Sequence, residues 1–116
     1  MKVLFILNDP PYGSERSYNA LRLAINLSKA NSEAETAVFL MADGVFCAKR
    51  GQTTPDGYYN VERMLKAVRR KGRVLLCGTC MDARGIADGD LTEGALRSSL
   101  DELTALTLEA DKVLVF

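Results

Sequence analysis

The sequence predicts an α/β domain built on a mostly parallel sheet of four to five strands. Three observations predict it. Four short, largely apolar runs each end at turn-forming residues or at the end of the sequence. Three stretches with helically spaced apolar residues lie between them. Strand therefore alternates with helix, the order that sets consecutive strands side by side through helical crossovers.

The first run, Val3 to Leu7, is continuously apolar, as a buried strand should be. Asn8-Asp9-Pro10-Pro11 stops it at a turn. A helix is expected after Gly13, with Ser14 as its N-cap and Glu15 in its first turn. Leu21, Ala24, Ile25 and Ser28 share a face of that helix, flanked by Tyr18 and Leu27. Thr36 to Met41 forms the second strand, closed by Asp43-Gly44.

Lys49 to Asn60, "KRGQTTPDGYYN", reads as a loop, and loops of this length often carry function. Asn60 can cap the next helix, where Val61, Met64, Leu65 and Val68 line one face. That helix ends in "RRKG": cations suit its negative C-terminus and Gly72 suits the cap. Arg73 to Cys77 is the third strand, and Ile86 to Gly94 is irregular. Ser99-x-x-Glu102 is a capping-box pattern opening a helix along Leu100, Leu103, Leu106 and Ala110. Lys112 to Phe116 is the closing strand, and a short fifth strand is expected near Val45-Phe46 or Leu91.

Residues 1–116 fit one domain, long enough to bury a core without disulfides or metal. Lys+Arg and Asp+Glu balance at 15 each, which argues against direct nucleic-acid binding and gives little protection against self-association. Three cysteines in two separate places are no disulfide framework and suit a reducing cytoplasm. The apolar N-terminal run is too short for a membrane span, so no membrane partner is expected.

Right-handed crossovers gather the C-terminal ends of parallel strands on one edge, where ligands bind in open α/β sheets. Asn8, Asp9, Asp43 and Gly78 should therefore meet Cys77 at that edge and form a ligand pocket, with Tyr58 of the long loop nearby. Asp9 and Asp43 also suit plain turn chemistry. Tyr58-Tyr59 equally suits a hydrophobic lid on the second helix.

"LLCGTCMDARG", residues 75–85, holds the chemistry. Zinc wants four Cys or His ligands, and this chain has three cysteines and no histidine, so no metal is expected. A C-x-x-C beside a βαβ pattern is a redox signature, although Gly78-Thr79 is unlike the Gly-Pro of common thioredoxin motifs. A single nucleophile is the third reading: Cys77 ends a strand, and Arg84 with free backbone N–H groups can stabilise its thiolate. Such a thiolate can hold sulfane sulfur as a persulfide without a base, whereas Cys-His hydrolysis is excluded within one chain. The bland alternative is cysteine as a small buried hydrophobe, which is preferred for Cys47.

Lys66, Arg69, Arg70, Lys71 and Arg73 read as a solvated helix end, or more sharply as a docking patch for an acidic partner or tRNA. "YGSER" lacks the glycine spacing of a phosphate loop.

In order along the whole chain, "NDPPYGSERSYNALRLAINL", "VFLMADGV", "RGQ", "GYYNVERML", "LCGTCMDARGI" and "LEADKVLVF" resemble the DsrE/DsrF-like family, nearest its small YchN-type members. The resemblance implies a three-layer α/β/α fold, a hexamer that is homomeric or built from three related chains, the homohexamer being expected here, and sulfur relay through a cysteine persulfide, as in the DsrE branch. It implies no cofactor, and sulfur donor and acceptor proteins as partners. Counting back from Arg84-Gly85, the family's reactive cysteine falls on Cys77; Cys80 departs from the single-cysteine pattern. A small-ligand binding module and a Cys77–Cys80 dithiol/disulfide protein remain the alternatives.

Overall fold

The structure, a computed structural model, describes residues 1–116. Five parallel strands form one sheet in the order β4-β3-β2-β1-β5. They are β1 (Lys2–Leu7), β2 (Glu35–Leu40), β3 (Arg73–Cys77), β4 (Ala95–Ser98) and β5 (Lys112–Val115). The helices are α1 (Arg16–Ala30), α2 (Val61–Arg69), α3 (Gly78–Asp82) and α4 (Leu100–Glu109), with 3₁₀ segments at Ala42–Ala48, Pro55–Gly57 and Asp88–Asp90.

The three expected strands in the first two-thirds stand within a residue of their predicted bounds. The fifth strand exists, but as β4. Val45-Phe46 instead lies in the first 3₁₀ segment, and Leu91 makes only an isolated antiparallel bridge to Lys49. Ala95-Leu-Arg-Ser gives no apolar run because β4 is an edge strand, with Leu96 and Arg97 exposed.

The helix starts follow local chemistry. The α1 N-cap position falls on Glu15 and not on Ser14, whose hydroxyl donates to Asp9 Oδ2 at 2.7 Å and so belongs to the preceding turn. Asn60 does cap α2, its Oδ1 accepting the Arg63 N–H at 3.1 Å. Val61, Leu65 and Val68 then face the core, each contributing roughly 1.5–3 kcal/mol by leaving water. Gly72 ends that helix by closeness rather than by left-handed geometry: a Cβ there would stand 2.5 Å from the Thr36 carbonyl oxygen. The Ser99 hydroxyl accepts the Glu102 N–H, but the Glu102 carboxylate turns to Ser98 and Arg73, so half of the capping box is made.

The long loop is clamped. Glu62, a buried carboxylate, accepts the Gly51 and Gln52 N–H groups at 3.1 and 2.9 Å. The Gln52 side-chain amide donates to the carbonyls of Cys47 and Lys49, and Asn60 holds the Gln52 carbonyl. "RGQ" and the Asn60 of "GYYN" thus fasten the loop to α2.

The two faces of the sheet are unequally covered. Under α1 and α2 lies a cluster of 20 buried residues, including Phe5, Leu7, Val38, Leu40 and Leu76. Under α4 lies a cluster of six, including Leu4, Phe39, Cys77 and Leu103. Val113 and Val115 pair in register with Leu4 and Ile6, yet Val115 is 64% exposed; Leu96, level with Leu75 on the other flank, is 58% exposed.

Candidate functional site

The ends of β1 and β2 are tied together at one edge. The Met41 N–H donates to the Leu7 carbonyl at 3.0 Å, and the Gly44 N–H to the Asn8 carbonyl at 3.1 Å. Gly44 is required there, because a Cβ would fall on the Leu7 carbonyl oxygen. From β3 the chain enters α3, and Met81 and Ile86 join the larger core cluster. From β4 it enters α4 on the opposite face, where Leu103 joins the smaller cluster. Neighbouring strands that send the chain to opposite faces open a crevice at their C-terminal ends. Cys77 ends β3 at that crevice and is the register partner of Ser98, the last residue of β4.

Cys77 is 9% exposed and occupies the N-cap position of α3. Its Sγ accepts the Cys80 N–H at 3.4 Å and lies 3.2 Å from Thr79 Oγ1. Burial, the largest influence, pushes the thiol up. Hydrogen bonds from the Cys80 thiol, the Thr79 hydroxyl and the backbone of both residues outweigh it, and the thiol sits below its ordinary value. Cys80 goes the other way. Burial and its hydrogen bond to Cys77 push it up, against smaller opposing influences from the Ala42 N–H and the Arg84 cation. Of the two thiols, the surroundings favour the thiolate on Cys77 over that on Cys80.

Cys80 Sγ accepts the Ala42 N–H at 3.2 Å. Ala42 has φ 51°, a left-handed conformation costing a side-chain-bearing residue on the order of 1–3 kcal/mol. Arg84 donates through Nε to Asp43 Oδ1 at 2.8 Å and through Nη1 to the Cys80 carbonyl at 3.1 Å. Arg84 and Asp43 thus join the site on its Cys80 side, and the Arg84 charge bears on Cys80.

The other expected pocket residues are placed differently. Gly78 is adjacent, its carbonyl held by Arg97 Nη1 at 3.1 Å, and a Cβ there would stand 3.0 Å from the Ser98 carbonyl oxygen. Asn8 and Asp9 lie at the same edge but are engaged in structure. Asn8 Nδ2 donates to the Phe116 carbonyl, and the Asp9 carboxylate holds Ser14. Tyr58 stands apart: it is 72% exposed and faces Tyr59, whose ring lies 4.3 Å from Tyr18 of α1. Through Tyr59, the tyrosine pair packs against the first helix.

Cys47 is fully buried in the larger cluster, with its thiol 3.6 Å from the Asp9 carbonyl. Burial pushes it up to about 12. Together the three cysteines and the acids gather no set of three or more metal-ligating side chains. A cavity of about 470 Å³ opens at the opposite edge, where the strands begin. The basic run reaches it through Arg69, Arg70, Lys71 and Arg73, the last bound to Glu102 at 2.7 Å.

Sequence reasoning missed three parts of the site. Thr79 was visible inside the C-x-x-C as a hydroxyl two residues from Cys77. Ala42 carries no signal, since nothing in "MADG" marks an alanine for left-handed geometry. Arg97, which also binds Asp82 and Asp88 at 3.0 and 2.7 Å, was hidden with the unrecognised β4.

Known proteins share this fold. Protein YchN of Escherichia coli is 43% identical over 116 residues, covering 99% of this chain and 98% of that protein. The uncharacterized protein MJ0989 of Methanocaldococcus jannaschii is 36% identical over the full length of both. The crystal structure of YchN superposes with a TM-score of 0.94, covering 100% of this chain and 99% of that one. MTH1491 of Methanobacterium thermoautotrophicum, a protein of unknown function at 18% identity, shares the fold with a TM-score of 0.76 over 99% and 98% of the two chains. The family model described as DsrE/DsrF-like matches residues 1–116, and this chain belongs to that family.

Proposed function

We propose that this chain is a sulfur-relay protein in which Cys77 carries sulfane sulfur as a persulfide. The observation that carries the reading is the Cys77 thiol, held below its ordinary value by hydrogen-bond donors at a strand-end crevice. Membership of the DsrE/DsrF-like family supports it. In loading, the Cys77 thiolate attacks the outer sulfur of a donor persulfide; the donor leaves as a thiol and Cys77 gains one sulfur. In unloading, an acceptor thiolate attacks that outer sulfur, and Cys77 is restored as a thiolate. Each step moves sulfane sulfur, with its oxidising equivalents, from one thiol to another, so neither needs an outside oxidant, reductant or cofactor, and both need a thiolate.

Incubation with a sulfane donor, followed by alkylation and mass spectrometry, should show a gain of one sulfur on Cys77. A Cys77→Ser protein that loads as well as the parent sinks the reading. Slow labelling with a midpoint near the unperturbed ~8.5 favours a non-catalytic binding module instead.

The carrier acts within a homo-oligomer, a hexamer by analogy with the family. The supporting observation is the incomplete layer over the α4 face, which leaves Val113, Val115 and Leu96 exposed beside a covered core. Light scattering should find an assembly that Val115→Asp disrupts without unfolding the chain; a parent protein that is monomeric at micromolar concentration rules it out. Three unpaired cysteines suit a reducing compartment such as the cytoplasm, and no helix is long and apolar enough to cross a membrane.

A further inference from the structure

Sulfur handed to a partner needs one thiolate with its outer sulfur in reach. This site holds two sulfurs, each with its own backbone donor: Cys77 takes the Cys80 N–H, and Cys80 takes the Ala42 N–H. The N-cap and third positions of α3 put the two side chains on one helix turn, where the Cys80 N–H meets the Cys77 sulfur. Ala42 holds an unfavourable backbone conformation while it directs its N–H at Cys80. Arg84 adds a cation on the same side, fixed by Asp43. A cysteine serving only as filler has no use for this support, and a second nucleophile does.

Resting on the carrier reading, we propose that Cys80 discharges the Cys77 persulfide internally, so that the chain reduces sulfane sulfur to sulfide. The Cys80 thiol passes its proton to the outer sulfur of the persulfide anion, and the Cys80 thiolate so formed attacks Cys77 Sγ. The bond between Sγ and the outer sulfur breaks, and its electron pair leaves with the outer sulfur as hydrosulfide, which keeps the proton. A Cys77–Cys80 disulfide forms. The sulfane sulfur gains two electrons and the two thiols lose two. A dithiol reductant then reopens the disulfide by exchange, which closes the cycle. Attack on the outer sulfur would only move the persulfide to Cys80, from which Cys77 can take it back, whereas attack on Cys77 Sγ releases hydrosulfide and ends the exchange.

The two ideas separate in one experiment. Parent, Cys80→Ser, Cys80→Ala and Cys77→Ser chains are reduced, freed of reductant, and exposed without oxygen to inorganic polysulfide. After desalting, released sulfide is followed with time, and intact mass is read after alkylation. The parent should release one sulfide per chain and end as a disulfide, lighter than its dithiol form by two hydrogens. Both Cys80 variants should keep one extra sulfur on Cys77 and release none, and Cys77→Ser should do neither. Added dithiol should make sulfide release by the parent catalytic. If the Cys80 variants load but the parent keeps its persulfide as long as they do, internal discharge is overturned and the carrier reading stands. If the Cys80 variants stay folded, by circular dichroism, and do not load, the carrier reading falls and discharge falls with it.

Discussion

Two thiol neighbourhoods in one small domain behave in opposite ways. Cys47 lies inside the larger core, where the nearby Asp9 carbonyl accepts from its S–H. Cys77 is also buried, yet its sulfur meets the Cys80 N–H and the Thr79 hydroxyl. Burial pushes both thiols up, leaving Cys47 at about 12 and Cys77 below its ordinary value. The difference has two sources: Cys47 is buried more deeply, and only at Cys77 do the donors outweigh burial. A strand that ends in a helix turn points N–H groups at its last side chain, whereas a packed 3₁₀ segment gives Cys47 a carbonyl.

The largest test of that contrast is selective alkylation. At neutral pH Cys77 should label roughly a thousandfold faster than Cys47, since the thiolate is the nucleophile. Quantitative peptide mapping checks it, and comparable rates at the two cysteines break the comparison. Next in size is Thr79→Val, which removes a donor to a charged sulfur. Labelling of Cys77 at neutral pH should fall roughly tenfold and its midpoint move to higher pH; Thr79→Ser should restore both. An unchanged midpoint assigns the effect to the backbone alone.

Smallest at neutral pH is the stability linkage of Cys47. The unfolded thiol loses its proton above ~8.5, whereas the folded one keeps it until about 12. In that window the unfolded state binds fewer protons, so this group's contribution is present below it and is lost as pH rises. The loss should run at about 1.4 kcal/mol per pH unit. Denaturant titrations from neutral to alkaline pH should show Cys47→Ala with the flatter decline, while its midpoint at pH 7 moves little. Parallel declines for the two proteins would place the alkaline sensitivity elsewhere.

The sequence announced what depends on neighbours in the chain. Val3 to Leu7 and Arg73 to Cys77 are apolar runs with clear stops, Asn60 precedes a clean amphipathic face, and C-x-x-C spacing brings two sulfurs to one helix turn. What it hid depends on the fold. Leu96 and Arg97 show no strand pattern because their strand lies at an edge with one flank uncovered. Nothing beside Glu62 in the chain marks it for burial; it is buried because the loop at Gly51-Gln52 folds its N–H groups onto the carboxylate. Ala42 adopts its backbone only where the β2 end, Gly44 and Asn8 are already locked together.

The strand order also has a consequence for how the chain comes into being. β1 is second from one edge, and its outer neighbour is β5, so Leu4 pairs with Val113 across nearly the whole sequence. During synthesis the first strand to emerge gains its β2 partner early and its β5 partner last. Until then a strongly apolar strand edge stays open, and closing so long a loop is slow relative to local folding. Nascent chains stalled before Lys112 should therefore be the ones that chaperones hold and that aggregate, although most of the sheet is already encoded in them.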